Sequence, residues 1–358
     1  MNKLRFGVIG AGGIVAKMHL PELAEEAQRA EVTLISGRKE SRLRLLCDQF
    51  GVARYTHNYE DVISDPDVDA VIVATPHPQH VSWGIKAIEA GKHLFMQKPL
   101  CADMNEANAF VAAADKTDRT VLVLPHFPDP VHTVWRGIRD GTIGRVSGAR
   151  ARTSHGGPEV YYREVREIFH EDLEIGAEEN LWFFDAQQAS AGALFDMGVY
   201  AVSHLIALLG TAKSVSAVVN TFDKPTTLED NAVLLMQMQS GALAVAETSW
   251  CDAARTWQMS VHGTRGKYDL PCYGIAPHLF TPLSYDSDHA PIEEKTLEVE
   301  SAVGSAHKHF LDCVQQGIQP PLSNAHAARH VTEVLLAAME ASRTGSAIAI
   351  ASSAAQSS

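Results

Sequence analysis

Three side chains stand out for what they could do to a proton. Lys98 lies in FMQKPL (Phe95 to Leu100), where an apolar pair runs into uncharged Gln97, a lone ammonium and then Pro99. An ammonium at the end of an apolar run can meet developing negative charge, although a surface lysine laying its stem along a strand end reads the same locally. Pro99 pushes the residue before it toward extended backbone and so restricts where Lys98 points. Asp196 and Tyr200 lie in SAGALFDMGVYAVSHLIALLG (190–210), which reads as a helix ending at Gly210. Four residues apart, they stack on one helical face. A carboxylate beside a phenol amid apolar neighbours suits a proton relay, and it suits equally a cap and a packed ring. His204 continues that face one turn on and reads first as a packing or capping histidine.

The elements that must position Lys98 alternate between strand and helix. LRFGVIG (4–10) is a short apolar strand that ends in a glycine cluster and opens the helical stretch AGGIVAKMHLPELAEEAQR. Gly10 permits a tight turn and Gly12 a close approach of backbone to a pyrophosphate, with Gly13 and Ile14 at the helix start, where backbone amides receive anions. Val15 stands where the dinucleotide fingerprint carries its third small residue. EVTLIS (31–36), DAVIVATP (69–76), KHLFMQ (92–97) and TVLVLP (120–125) read as further strands, with the helices HVSWGIKAIEAG and ADMNEANAFVAAADK between the later ones. That alternation predicts an α/β fold with a doubly wound parallel sheet, whose ligands bind beyond the carboxyl ends of the strands. Ala74, Thr75, Pro76 and His80 of ATPHPQH, and Gln97 with Lys98, fall on that rim.

The second strand speaks to the cofactor. NAD-binding units place an acidic residue after it for the ribose hydroxyls, but here it ends in Ser36, Gly37 and Arg38. A hydroxyl with Arg38, and Lys39 next to it, suits a 2′-phosphate, so NADP(H) is expected to be preferred. NAD(H) stays open, since Arg38 could stack on adenine and Glu40 is close by.

Beyond residue 125 the pattern changes to longer, alternating strands such as VSAVVNTF (215–222), NAVLLMQMQ (231–239) and LAVAETSW (243–250), with a turn at GTRGK (263–267). They suggest a second α/β domain with a large, mostly antiparallel sheet. The expected division is 1–124, 125–350 and a flexible tail at 351–358. A formal charge of −13, from 43 acids and 30 bases, argues against nucleic acid and anionic membrane as partners. Five cysteines without a CxxC pair fit reduced thiols in a cytoplasmic protein, and no metal is expected. The N-terminus reads as no signal peptide, and no later segment reads as a membrane span.

Taken together, VIGAGGIVAKMHLP, ATPHPQH, AIEAGKHLFMQKPL, WFFDAQQASAGALFDMGVY, EDNAVLL, SGALAVAETSW, HGTRGKYDL and the region from HKHF (307–310) to SRTG (342–345) resemble the glucose–fructose oxidoreductase and inositol 2-dehydrogenase family (Gfo/Idh/MocA) over almost the whole chain. The resemblance places the family's Glu-Lys-Pro motif on Gln97-Lys98-Pro99 and its D-x-G-x-H motif on Asp196 to Tyr200, with tyrosine in place of histidine. It implies that Lys98 holds the nicotinamide ribose and the reacting hydroxyl, that Asp196 binds substrate or cofactor, and that Tyr200 is the acid/base. A phenol titrates near 10, so it suits donation to a ketone unless a cation such as Lys98 intervenes. The implied activity interconverts a secondary alcohol and a ketone on a sugar, cyclitol or related polyol, with His126 and His155 as substrate-side candidates. A homodimer or homotetramer through the C-terminal sheet is also implied. Some relatives instead cleave glycosides by transient oxidation with tightly bound NAD, and others are non-catalytic cofactor-sensing regulators.

Overall fold

The computed structural model describes residues 3–172, 181–189, 191–271 and 274–354, and it divides into two compact units. The first comprises residues 1–126, 158–190 and 305–332, and the second comprises 127–157, 191–304 and 333–358. A single cut after residue 124 therefore does not separate them.

In the first unit, β1 (Leu4–Ile9), β2 (Ala30–Ser36), β3 (Arg54–Thr56), β4 (Ala70–Val73), β5 (His93–Met96) and β6 (Val121–Val123) form a parallel sheet in the order β3-β2-β1-β4-β5-β6. Successive side chains point to opposite faces of a strand. Phe6, Val8, Ile72, Phe95 and Leu122 enter one core, and Ile9, Val71, Val73, Leu94, Met96 and Val123 enter the other. Both faces are covered, which is why these strands read as continuous apolar runs rather than alternating ones. The chain direction across the sheet reverses at β1 and β4, so the crevice beyond their carboxyl ends is the ligand position of such a sheet.

The second unit is built on a nine-stranded sheet of β7 (Val146–Ser154), β8 (Ala212–Asn220), β9 (Asn231–Met238), β10 (Leu243–Ser249), β11 (Thr256–Gly263), β12 (Gly266–Leu270), β13 (His278–Pro282), β14 (Ile292–Thr296) and β15 (Ile348–Ala349). All pairings are antiparallel except β7 with β10. In β9 the alternation is complete: Ala232, Leu234, Met236 and Met238 are buried, while Val233 and Leu235 are each 49% exposed. The buried face carries the helix Val199–Leu209, and Val218 of β8 and Leu243 of β10 are also exposed.

Two segments bear on the sequence expectations. Residues 186–209 are long and apolar enough to cross a membrane, yet 78% of their most apolar window is buried inside the protein, the position of a core helix. The tail is tied down at its start, with Ala351 and Ser352 donating from their backbone amides to Glu333 and Ala354 to Thr211. Residues 355–358 lie outside the described residues.

Candidate active site

The glycine turn after β1 has the shape an anion cradle needs. Gly10 has φ +109°, and a Cβ there would meet the Ala74 carbonyl oxygen at 2.4 Å, so only glycine fits where the ends of β1 and β4 converge. A Cβ on Gly12 would meet nothing within 4 Å, which leaves open space at the helix start. Gly13 is buried against Val165 and Tyr161 of the helix Pro158–Ile168. Val15 is fully buried, and the helix begins with a π turn, Val15–His19. Thr75, 8% exposed, has a buried hydroxyl oxygen with no partner among the described residues. An orphaned hydroxyl beside an open glycine turn fits a bound dinucleotide.

Lys98 follows β5, half-buried, before a cis peptide to Pro99. His80 ties this rim together, with its Nδ1 2.7 Å from the Pro99 carbonyl and its Nε2 2.8 Å from the Thr75 carbonyl. Burial holds its pKa below the usual value, although both carbonyls favour the protonated ring. His80 thus positions the rim from beneath, being 1% exposed.

Gln97 is the head of a buried chain that local sequence does not reveal. Its side-chain carbonyl accepts from the Lys98 backbone N–H at 3.1 Å, which turns its amide nitrogen to His19 Nε2 at 3.0 Å. Burial lowers the His19 pKa well below normal, so the ring is neutral and accepts there. Its proton is then on Nδ1, donated to His307 Nε2 at 2.9 Å, and His307 donates from Nδ1 to Glu22 at 2.8 Å. Glutamine suits this chain because it accepts at one end and donates at the other.

A carboxylate at position 97 has no proton to give His19. Gln97→Glu should therefore draw a proton onto His19 and raise its pKa above the ordinary value of about 6.5. In wild type the lowered pKa means that stability is lost as pH falls below about 6.5, whereas in the variant the His19 contribution is present below about 6.5 and lost as pH rises through the raised pKa. Urea unfolding at about pH 5.5 and about pH 8 should show the variant falling behind wild type as pH rises, by up to about 1.4 kcal/mol per pH unit. A pH-independent difference would rule out the Gln97–His19 bond.

At the ribose end, Ser36 is fully buried and its hydroxyl donates to the Val8 carbonyl at 2.9 Å, so it braces β1 against β2 instead of facing a ribose. Gly37 is buried, and a Cβ there would sit 2.7 Å from that of Ala11. Arg38 is exposed beyond the strand end. Glu40 is turned onto Arg44 and Tyr55, and Lys39 lies 3.4 Å from Glu171.

In the second unit, Asp196 lies in a π turn, Leu194–Gly198, that leads into the helix carrying Tyr200. Asp196 is 9% exposed and accepts from Trp250 Nε1 at 3.0 Å. His155 Nε2 is 3.5 Å from the same oxygen, and its Nδ1 accepts from the Gly157 backbone N–H at 2.8 Å. The proton of the neutral ring is therefore on Nε2, facing Asp196. Tyr200 is half-buried with its ring edge-on to Trp257 at 4.9 Å. Its carbonyl accepts from His204 Nδ1, and burial pushes the His204 pKa down to about 4, so His204 is a structural neutral imidazole. A nearby apolar pocket is lined by His204, Trp257, Thr153 and Val131. His155 thus joins Asp196, while His126 belongs to the first unit beside His309, with ring centroids 5.6 Å apart. Trp250, His19 and His307 were missed by sequence reasoning; only the placement of His19 in the fingerprint helix could have signalled one of them.

Two family models match the chain. The oxidoreductase family with NAD-binding Rossmann fold, GFO_IDH_MocA, matches residues 4–124, and the GFO/IDH/MocA C-terminal domain matches residues 131–269. An uncharacterised oxidoreductase of Rhizobium meliloti is 30% identical over 207 residues, which is 57% of this chain and only 55% of that relative. D-xylose 1-dehydrogenase (NADP(+)) 2 of Haloferax volcanii is 25% identical over 346 residues, 96% of this chain and 99% of the relative. Among solved structures, levoglucosan dehydrogenase in complex with NADH and levoglucosan shares the fold with a TM-score of 0.80 at 20% identity, covering 98% of this chain and 100% of that one.

Proposed function

Because the chain belongs to the Gfo/Idh/MocA family of oxidoreductases, we propose that it is an NADP(H)-preferring dehydrogenase that interconverts a secondary alcohol and a ketone on a sugar, cyclitol or related polyol. The observation that carries this is the open glycine turn and orphaned Thr75 hydroxyl in the same unit as Lys98, at the carboxyl ends of adjacent strands. Gly10, Gly12, Gly13 and Ile14 would hold the pyrophosphate, Arg38 the 2′-phosphate, and Ala74, Thr75, Pro76 and Lys98 the nicotinamide half. When bound, the nicotinamide exchanges a hydride with the substrate carbon. In oxidation the chain takes the hydroxyl proton on Tyr200, or on Lys98 in its neutral form, and in reduction it returns it. Where Tyr200 carries the proton, the Lys98 ammonium stabilises alkoxide character at the reacting oxygen. Asp196, held by Trp250 and faced by the His155 N–H, is fixed to accept a substrate hydroxyl.

The names of the relatives favour a carbohydrate substrate, since one acts on xylose and one is complexed with levoglucosan. The four described cysteines, Cys47, Cys101, Cys251 and Cys313, are free thiols, in keeping with a reducing cytoplasm. The exposed aliphatic face of β8, β9 and β10 is where copies would pack as a homodimer or homotetramer, and a monomer in sedimentation would remove that part of the proposal.

A cofactor-linked absorbance screen over a polyol and sugar panel tests the activity. Net NADPH formation marks a dehydrogenase, released sugar without cofactor turnover marks a glycoside-processing enzyme, and dinucleotide binding without turnover marks a regulator. For the cofactor, Arg38→Ala should weaken NADP(H) by about 1.5–3 kcal/mol, the size of a charge-assisted hydrogen bond, and leave NAD(H) unchanged. Equal wild-type affinities for the two dinucleotides would remove the NADP assignment.

A further inference from the structure

Near the loop after β2, three cations converge on one carboxylate. Arg42 grips Glu171 with two bonds of 2.6 Å, Arg166 Nη1 lies 3.0 Å from it, and Lys39 Nζ 3.4 Å. Among the described residues the cluster thus holds Lys39, Arg42 and Arg166 against Glu171, an excess of two positive charges on a chain whose net charge is −13. Arg42 above all holds the Glu171 pKa down at about 2, so the carboxylate is ionised at any working pH. Arg166 is 8% exposed, and its Nε has no partner among the described residues. The Arg42 guanidinium lies over the Phe169 ring at 4.4 Å, which fixes its planar fork.

Lys39 directly follows Arg38, at the strand end where dinucleotide folds read the ribose hydroxyls. A 2′-phosphate is recognised there by charge-assisted bonds from lysine and arginine. Glu171 offers those cations an anion from within the chain. We propose that Glu171 determines cofactor specificity: its carboxylate occupies Lys39 and Arg42 in place of a 2′-phosphate, so NADP(H) must displace it and NAD(H) need not. Arg38 favours NADP(H), and Glu171 limits how far. The inference rests on the assignment of a dinucleotide to the first unit.

Calorimetric titration of NADP⁺, NAD⁺, 2′,5′-ADP and 5′-AMP into wild type, Glu171→Gln and the double variant Glu171→Gln/Arg42→Gln tests it without turnover. Glu171→Gln should bind NADP⁺ and 2′,5′-ADP at least about tenfold more tightly, with NAD⁺ and 5′-AMP within about twofold, and the double variant should lose the gain. An unchanged NADP⁺ to NAD⁺ affinity ratio in Glu171→Gln overturns the inference alone; if neither dinucleotide binds wild type, the inference and the dinucleotide assignment fall together. Should Glu171→Gln fail to fold, Arg42→Gln alone carries the test. With its charge spent on Glu171, Arg42→Gln should change NADP⁺ affinity by less than about threefold, and a tenfold loss would refute the proposal.

Discussion

Lys98→Met is expected to lower kcat by about 10²–10³-fold while leaving dinucleotide affinity measurable, because it removes an ammonium from the proposed charge-developing centre and keeps the bulk of the stem. Lys98 is half-buried at the end of β5, and its backbone is held by Gln97 and by the His80 bond to Pro99. The substitution leaves both of those bonds in place, so circular dichroism and thermal unfolding should resemble wild type. A variant whose kcat stays within about threefold of wild type, ~0.65 kcal/mol of barrier, would show that Lys98 is not a catalytic residue.

Tyr200→Phe should cost about 10²–10⁴-fold in rate, since it deletes only the phenolic oxygen proposed to carry the proton. The ring packing against Trp257 and the His204 bond to the Tyr200 carbonyl do not depend on that oxygen. Stability should therefore change by less than about 1 kcal/mol, within the range of an ordinary hydrogen bond. The pH–rate profile separates the proton carriers. If the variant keeps the wild-type limb, the acid/base is Lys98 or a water, and Tyr200 is a packing residue.

How much of this was legible in the sequence follows from the physics of each element. β1, β2, β4, β5 and β6 could be read because both faces of the first sheet are buried, leaving short apolar runs between helices. β3 escaped notice because it is a three-residue edge strand, RYT, with no buried residue. β7, the nine-residue strand VSGARARTS, hides behind arginines that alternate with small residues: Ala149 and Ala151 face the core while Arg150 faces solvent on Glu247. The glycine turn and the Asp196–Tyr200 spacing are local patterns, so their candidates could be named. The chain from Gln97 through His19 to His307 could not, because it joins residues 78 and 288 apart in sequence. Ser36 shows the converse limit: a hydroxyl at the expected position says nothing of the direction in which it points, and here it points into the sheet.

The grip of Arg42 on Glu171 spans 129 residues of sequence. The phosphate cradle at residues 10–13 and the carboxylate proposed to choose the ribose substituent are therefore written in separate parts of the gene. Glutamate and glutamine codons differ at one base, so on this proposal a single point mutation at position 171 would sharpen the preference for NADP(H) without touching the glycine turn, the sheet or the catalytic candidates. In evolutionary terms the strength of the cofactor preference would be adjustable by one substitution on a scaffold that stays as it is.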